Sequence, residues 1–260
     1  MFLIKLGGSI ITDKTTEGTF RHDTVTRLAT ELKTANKDSI LVHGAGSFGH
    51  ILAKQHHLND GLTHPSQTLG FAQTQASVQR LNTLVIDALH HQGLPAISLP
   101  PHAITILDNH HLKTMDFTMF SDYLDQGFLP VTYGDVALDT TLHGSICSGD
   151  LLMHALAAEF HPEKIIFVMD EDGLYTANPK THPTATFIEN ISIKDLPRLS
   201  TGLDSRADVT KGMQGKLETI SSIAQLGIDV ILVNGNVKNR LHDILQGTPT
   251  RCTTIQGAHP

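Results

Sequence analysis

The chain of 260 residues alternates short apolar runs with segments that have a helical hydrophobic period, and this alternation limits its fold most strongly. Strands that alternate with helices build an α/β protein around a largely parallel sheet. Several of the runs are continuously apolar, as expected of strands that are covered by helices on both faces. The predicted strands are residues 2–6, 39–43, 96–99, 129–132, 164–169 and 229–233.

Three stretches between these strands repeat apolar residues at the i, i+3, i+4, i+7 spacing of one helix face. They lie at residues 25–32, 78–88 and 213–224, and Asp23 is the expected N-cap of the first. We interpret each stripe as the core-facing side of a helix. Residues 102–113 and 134–144 are instead short, polar and hairpin-like, so we expect them to project from the sheet.

The charge balance restricts the possible partners. The chain has 26 acidic and 19 basic residues, a formal net charge of −7. This argues against binding to nucleic acid, which depends on clustered cations, but a few lysines can still hold a small anion in one cleft. The first residues do not resemble a signal peptide, and no run approaches the roughly 20 apolar residues of a membrane span. We therefore expect a cytoplasmic protein without membrane or nucleic-acid partners.

Two glycine-rich turns directly follow the first two predicted strands. The first strand leads into Gly7-Gly8-Ser9, and the second into the sequence HGAGSFGH at residues 43–50. Ligands of an open parallel sheet bind beyond the carboxyl ends of its strands, so both turns face one crevice. Glycine lets backbone N–H groups approach a phosphate, and a following helix adds further donors. Either turn alone is also typical of a plain strand-to-helix connection, but together they favour phosphate binding.

Neither turn is a common nucleotide-binding motif. The Walker pattern GxxxxGK[ST] is absent, and so is GxGxxG with an acidic ribose ligand. Five motifs, two of which contain these turns, occur in the order seen in the amino acid kinase family: KLGGSIITDK, HGAGSFGH, YGD, SGD and DVTKGMQGK. The chain therefore resembles that family, and the combination of HGAGSFGH with TDK resembles its isopentenyl phosphate kinases.

The resemblance implies an architecture and an activity. The expected fold is α/β, a single three-layer αβα sandwich over residues 1–260 with a mainly parallel central sheet. Residues 1–160, approximately, are expected to bind the acceptor, and residues 161–260 the nucleotide. The implied reaction is ATP-dependent phosphorylation of isopentenyl phosphate, assisted by Mg²⁺, and the implied assembly is a homodimer. Because no carboxylate cage is visible, we expect Mg²⁺ to bind through phosphate oxygens and water, without a metal site on the protein.

The resemblance also assigns catalytic roles. Lys5 is implied to bind the transferring phosphate, Lys14 to stabilise the transition state and Lys216 to hold the nucleotide phosphates. Asp150 is implied to orient these lysines, although an acidic residue is also common at any helix start. His50 is implied to donate to the acceptor phosphate. Independently of the family, Lys5 stands inside an apolar strand, where an unpaired ammonium is costly.

The remaining candidate residues contact one of the two substrates. Those implied for ATP are Lys5, Gly7, Gly8, Ser9, Gly46, Asp170, Gly173, Tyr175, Lys211, Gly212 and Lys216. The acceptor phosphate is expected to take the N–H groups of Gly44, Ala45, Gly49 and Gly134, together with His50. The expected walls of an apolar tail pocket are Ala53, Phe71, Val136 and Ile146, each of which also suits ordinary core packing.

Two of these positions depart from the family pattern. Ala45 replaces a glycine common in relatives, which is tolerable if its φ is negative. Lys211 replaces another glycine, so whether Lys211 or Lys216 contacts the nucleotide phosphates stays open.

Other functions remain compatible with the pattern. A fosfomycin kinase shares the fold and the histidine after the second turn. Acetylglutamate, glutamate 5- and uridylate kinases lack the full motif combination. A nucleotide-sensing domain without turnover would not need Lys5, Lys14, Asp150 and Lys216 together.

Overall fold

The structure, a computed structural model, describes residues 1–13, 15–177, 179, 181–196 and 209–258, apart from the side chains of residues 209–214 and 216. Its strands are β1 (Phe2–Leu6), β2 (Ser39–His43), β3 (Ala96–Ser98), β4 (Thr105–Asp108), β5 (His111–Met115), β6 (Leu129–Tyr133), β7 (Asp135–Asp139), β8 (Ser145–Cys147), β9 (Lys164–Met169), β10 (Leu174–Tyr175), β11 (Phe187–Ile188), β12 (Asn190–Ser192), β13 (Val230–Asn234) and β14 (Cys252–Gln256). Its helices are α1 (Gly8–Ile11), α2 (His22–Ala35), α3 (Gly46–Gln55), α4 (Gln67–His91), α5 (Pro101–Ile104), α6 (Thr118–Asp125), α7 (Gly149–Phe160), α8 (Val209–Ala224) and α9 (Arg240–Gln246), with a 3₁₀ turn at Leu58–Asp60.

Eight strands form the main sheet, in the order β12-β14-β13-β9-β1-β2-β6-β3. Neighbouring strands run parallel except β13 and β14, which are antiparallel. The predicted α/β class with a mainly parallel sheet is therefore confirmed. All six predicted strands belong to this sheet; β3 and β6 differ from the prediction by one residue at one end, and β13 by one residue at each end.

A second sheet of four strands has the order β5-β4-β7-β8. It consists of two antiparallel hairpins joined by the parallel pair β4 and β7. These hairpins occupy the two segments that the sequence predicted to project from the main sheet. The buried carboxylate of Asp139 links the turns of both hairpins, since it accepts hydrogen bonds from the backbone N–H groups of Asn109 and His110 in the first and of Thr141 and Leu142 in the second.

Helices cover both faces of the main sheet and give three layers. One core packs α2, α4 and α9 against one face, and the other packs α6, α7 and α8 against the opposite face. The helical stripes are confirmed where side chains are described. The predicted N-cap is wrong, because α2 already begins at His22 with Arg21 as its N-cap, and Asp23 lies in the first turn.

The alternation of side chains along β1 determines where its lysine points. Ile4 and Leu6 belong to the core under α2, whereas Leu3 belongs to the core under α7. Because successive side chains of a strand point to opposite faces, Lys5 shares the face of Leu3 and is directed towards α7.

The two glycine turns are in direct backbone contact. A Cβ at Gly8 would lie 2.7 Å from the nitrogen of Gly46, and a Cβ at Gly44 would lie 2.6 Å from the nitrogen of Gly8. A Cβ atom does not approach a non-bonded heavy atom this closely, so the approach of the two turns after β1 and β2 requires glycine on both sides. The carboxyl ends of the two strands thus meet in one crevice, as the sequence predicted.

We expect Gly8→Ala to destabilise the fold by about 1–3 kcal/mol, because the added methyl group overlaps backbone atoms that cannot rotate away. Gly215→Ala is the matched control: a Cβ there meets nothing within 4 Å, and in α8 alanine should add about 0.5–1 kcal/mol of stability. Urea unfolding midpoints measure both changes. A Gly8→Ala midpoint equal to that of the wild type would contradict the contact.

Candidate active site

The centre of the site is an ion pair between a buried lysine and a partly exposed aspartate. Lys5 Nζ lies 2.5 Å from Asp150 Oδ1, and Lys5 is only 6% exposed. Asp150 stands in the first turn of α7, and a Cβ at Gly149 would lie 3.3 Å from Lys5 Cε. The lysine stem therefore runs along the start of α7, where a glycine makes room for it. The structure brings these two predicted residues together and pairs a charge that would otherwise be costly to bury.

Backbone N–H groups converge beside this pair. The nitrogens of Ala45 and Gly149 each lie 3.3 Å from the position that a Cβ of Gly134 would occupy. They belong to the starts of α3 and α7, where helix N-termini carry free donors and partial positive charge. Gly134 leaves the space between them open. Ala45 has φ −70° and ψ −21°, so the alanine in place of the family's glycine causes no strain.

Three of the predicted acceptor-site donors are engaged elsewhere. Gly44 N–H donates to a β1 carbonyl at 2.9 Å, Gly134 N–H to a β2 carbonyl at 2.9 Å, and Gly49 N–H to Ala45 at 3.1 Å. The prediction that these three groups face the acceptor phosphate as free donors is therefore wrong. These glycines instead allow close approach; at Gly49, for example, a Cβ would lie 2.5 Å from that of Ala45.

His50 lies in the first half of α3, close enough to Lys5 and Asp150 to respond to their charges. Its side chain reaches solvent, but the ring stands in a recess surrounded by protein atoms. This burial, together with the positive charge of Lys5, lowers the pKa of His50, and Asp150 only partly opposes the change. The imidazole is therefore neutral at neutral pH when no anion is bound.

The four predicted tail-pocket residues lie in one apolar cluster. Ala53 and Val136 are buried in it, and Phe71 and Ile146 pack against it. Leu58 and Leu62, which the sequence analysis missed, complete the cluster. Ala53 follows His50 by three residues on α3, so both side chains lie on one helix face, one turn apart. The cluster therefore begins next to the histidine.

Residues predicted for the nucleotide follow β9. Ser9 Oγ donates to Asp170 Oδ1 at 3.0 Å, which links the first glycine turn to the end of β9. An open cavity of about 900 Å³ lies against Ser9 and Asp170. Gly173 has φ +150°, and a Cβ there would lie 2.3 Å from Thr253 Oγ1. Tyr175 packs edge-on against Phe187, with ring centroids 5.4 Å apart.

An ion-pair cluster that the sequence analysis missed holds this segment. Asp172 lies 2.5 Å from Arg240 Nη1 and 2.9 Å from Arg251 Nε, and it also accepts from Asn234 at 3.0 Å. Burial alone would raise the pKa of Asp172, but these hydrogen bonds and guanidinium charges lower it. Arg251 also stacks over Phe187 at 4.2 Å. The run of acidic residues at positions 170–172 could have marked Asp172 as a candidate, whereas its arginine partners are remote in sequence.

Four predicted residues cannot be placed in this geometry. Lys14 lies outside the described residues. Lys211, Gly212 and Lys216 belong to α8, but their side chains lie outside the described part of the chain. Their roles stay predictions.

The fold and the paired glycine turns define a class of protein. The family model described as the amino acid kinase family matches residues 1–234. The chain belongs to the amino acid kinase family.

The similarity extends to one group within that family. An isopentenyl phosphate kinase of Methanothermobacter thermautotrophicus is 37% identical over 268 aligned residues, which cover 100% of both chains. A crystal structure of an isopentenyl phosphate kinase superposes with a TM-score of 0.87 at 34% identity, covering 98% of this chain and 100% of the other. A product complex of the Thermoplasma acidophilum isopentenyl phosphate kinase superposes with a TM-score of 0.81 at 30% identity, with the same coverage of both chains. The chain belongs with the isopentenyl phosphate kinases.

None of the helices in the described ranges has the length and apolar character that crossing a bilayer requires.

We expect the KM for a phosphate acceptor to fall between pH 8 and pH 6.5 because of His50. A bound phosphate adds negative charge beside the ring and raises its pKa above the lowered value of the free protein, so binding takes up a proton and is favoured at lower pH. His50→Gln keeps a neutral donor but cannot titrate, so this pH dependence should disappear. His50→Ala should raise the acceptor KM about tenfold at pH 6.5, since a charge-assisted hydrogen bond is lost.

Steady-state kinetics at several pH values, with the KM for ATP as the internal control, measure these effects. Equal pH dependence of His50→Gln and the wild type would remove His50 from the acceptor site.

Proposed function

We infer that the protein transfers the γ-phosphoryl group of ATP to the phosphate of isopentenyl phosphate, giving isopentenyl diphosphate and ADP. The observation that carries this inference is the order of groups along one crevice. The Lys5–Asp150 pair is followed by His50 and then by the apolar cluster around Ala53 and Val136. A lysine, a histidine and an apolar cluster in this order suit an acceptor that has a phosphate head and a short hydrocarbon tail. Full-length similarity to isopentenyl phosphate kinases supports the same assignment.

The reaction needs no general base. An oxygen of the acceptor phosphate attacks the γ-phosphorus of ATP, and the bond from that phosphorus to the bridging oxygen of ADP breaks. A phosphate monoester has a second pKa of about 6, so the attacking oxygen is already deprotonated at neutral pH. The protein's task is to position two anions in line and to neutralise the charge that they bring together.

We propose that Lys5 contacts the transferring phosphoryl group and that Asp150 fixes the direction of its ammonium. The lysine cannot turn away, because its stem is confined beside Gly149 and its charge is paired at 2.5 Å. The N–H groups of Ala45 and Gly149, at the starts of two helices, supply further positive potential without adding a mobile charge. Lys14, Lys211 and Lys216 remain our candidates for the other cations of the site.

On the nucleotide side we propose that ATP lies along the first glycine turn, with Gly7, Gly8, Ser9 and Gly46 near its phosphates. The segment from Asp170 to Tyr175 would then lie under the adenosine, where Asp172 and its two arginines hold the backbone in place. This division assigns the acceptor to the N-terminal part of the chain and the nucleotide mainly to the C-terminal part.

We further propose that Mg²⁺ enters with ATP, bound by phosphate oxygens and water. Within the described ranges no group of three His, Cys, Asp or Glu side chains could hold a metal ion. The Asp150 carboxylate is already paired with Lys5. A homodimer in the cytoplasm is our proposal for the working form, on the basis of the family resemblance.

We expect purified protein with ATP and Mg²⁺ to phosphorylate isopentenyl phosphate with a higher kcat/KM than fosfomycin, acetylglutamate or UMP. Both the cationic crevice and the small apolar cluster fit the first acceptor, whereas acetylglutamate presents a carboxylate and UMP is too bulky for the cluster. A coupled assay of ADP release over the four acceptors measures the order. Equal or faster use of fosfomycin would reverse the assignment.

We expect Phe71→Ala to admit longer prenyl phosphates. A Cβ at Gly144 would lie 2.9 Å from Phe71 Cε2, so the ring covers this glycine and closes one side of the cluster. Removing the ring should raise kcat/KM for geranyl phosphate relative to isopentenyl phosphate about tenfold or more, a change of the size that pocket volume produces. Leu69→Ala on the same helix, 67% exposed, is the matched control and should leave the ratio unchanged. An unaltered chain-length profile in Phe71→Ala would contradict the role.

A further inference from the structure

A row of hydrogen-bonded polar side chains, Ser98, Asn82 and His43, ends at the second glycine turn. His43, the last residue of β2, is fully buried, and its Nδ1 lies 3.0 Å from the carbonyl oxygen of Gly44. Its Nε2 lies 3.2 Å from the carboxamide of Asn82, which in turn lies 2.7 Å from Ser98 Oγ. The ring also stacks on Tyr133, with centroids 5.2 Å apart and an interplanar angle of 11°. The ring is thus fixed in position and in plane, yet the transfer chemistry makes no use of it.

The surroundings of His43 determine its charge and which of its ring nitrogens carries the proton. Burial lowers the pKa of His43, so the imidazole is neutral and carries one proton. A carbonyl oxygen can only accept, so the proton belongs on Nδ1, facing Gly44. Nε2 must then accept a hydrogen bond, but Asn82 Oδ1 faces it at 3.2 Å and Asn82 Nδ2 faces Ser98 Oγ. We therefore assign the Asn82 carboxamide in the orientation turned by 180°, in which its nitrogen donates to Nε2 and its oxygen accepts from the Ser98 hydroxyl. In this arrangement both ring nitrogens of His43 have a hydrogen-bond partner.

The bond to Gly44 fixes a whole peptide group. The carbonyl of Gly44 and the N–H of Ala45 belong to the same planar trans peptide, in which the two point in opposite directions. Holding the carbonyl at His43 therefore turns the Ala45 N–H to the other side, towards Gly134 and the nitrogen of Gly149. Among the residues that the structure describes, none accepts a hydrogen bond from this N–H.

We propose that His43, held by Asn82 and Ser98, is a positioning residue that aims the Ala45 N–H at the acceptor phosphate. It acts through the peptide and does not touch the substrate. The inference rests on the proposed function only in needing an acceptor that carries a phosphate or phosphonate. The other donors predicted from the sequence at Gly44, Gly49 and Gly134 are engaged, which makes the direction of this one N–H important.

Two substitutions at His43 separate positioning from packing. The amide nitrogen of His43→Asn can replace Nδ1 as donor to Gly44, whereas the longer side chain of His43→Gln places its amide near Nε2. We expect His43→Asn to keep the acceptor KM within about threefold of the wild type and His43→Gln to raise it about tenfold, as expected when a hydrogen bond is lost. The KM for ATP should stay unchanged in both. A Gln variant as good as the Asn variant, or an equal rise for both substrates, would overturn the proposal.

A double-mutant cycle tests the route through Ala45. Ala45→Pro removes the N–H, and φ −70° at this position already suits proline. If His43 acts only through that N–H, His43→Gln should have no further effect on the acceptor KM in the Ala45→Pro background. Additive effects would mean that His43 acts by another route and would overturn the proposal.

The wild-type protein provides a test that does not depend on how the variants fold. In two-bond ¹H–¹⁵N spectra, the His43 signal is identified by its loss in His43→Asn, or by specific labelling if that variant does not fold. We expect the pattern of an Nδ1–H tautomer; an Nε2–H tautomer would overturn the proposal. Failure to phosphorylate isopentenyl phosphate would instead contradict only the proposed function, and the kinetic comparison would then use whichever acceptor of the panel the wild type phosphorylates.

Discussion

The Lys5–Asp150 pair is the interaction on which the site depends. An ammonium in the middle of an apolar strand is tolerated only if a counter-charge and hydrogen bonds replace the water that it loses. Asp150 provides both from the first turn of α7, where the helix dipole favours a carboxylate. The sheet therefore fixes the position of the cation, and the helix fixes its direction. If Lys5 contacts the transferring phosphoryl group, as we propose, that group meets a charge that has almost no freedom left to lose, which is the condition for preorganised catalysis.

The parallel sheet makes this arrangement possible. Because β1, β2, β6 and β9 run in the same direction, their carboxyl ends lie at one edge of the sheet, and α1 and α3 follow β1 and β2 there. The glycines then decide how closely the connections pack. At Gly8 and Gly44 the turns approach to distances that a side chain would forbid, and at Gly149 a missing side chain leaves room for the Lys5 stem. The glycine pattern is thus more important for its geometry than for the donors that it supplies.

This distinction explains what the sequence could and could not predict. Apolar runs and glycine turns are local signals, so the strands and the shared crevice could be predicted from them, whereas the Lys5–Asp150 pair is expected only from the family resemblance. Which N–H groups remain free is not local, since it depends on the neighbouring strand: Gly44 and Gly134 give theirs to adjacent carbonyls. Two other features also depend on contacts between separate segments. They are the antiparallel pairing of β14 with β13 and the ion pairs of Arg240 and Arg251 with Asp172. No local pattern encodes such contacts.

The charge of the site is arranged to change when an anion binds. The whole chain is acidic, with a formal charge of −7, and the one described lysine at the centre of the crevice is already neutralised by Asp150. His50 is held neutral by burial and by Lys5. If the acceptor phosphate binds between them, as we propose, it favours protonation of His50, because its charge outweighs the repulsion between imidazolium and ammonium. The binding of the anion thus creates much of the positive charge that holds it. A histidine that stays neutral until the anion binds adds no uncompensated like charge beside Lys5.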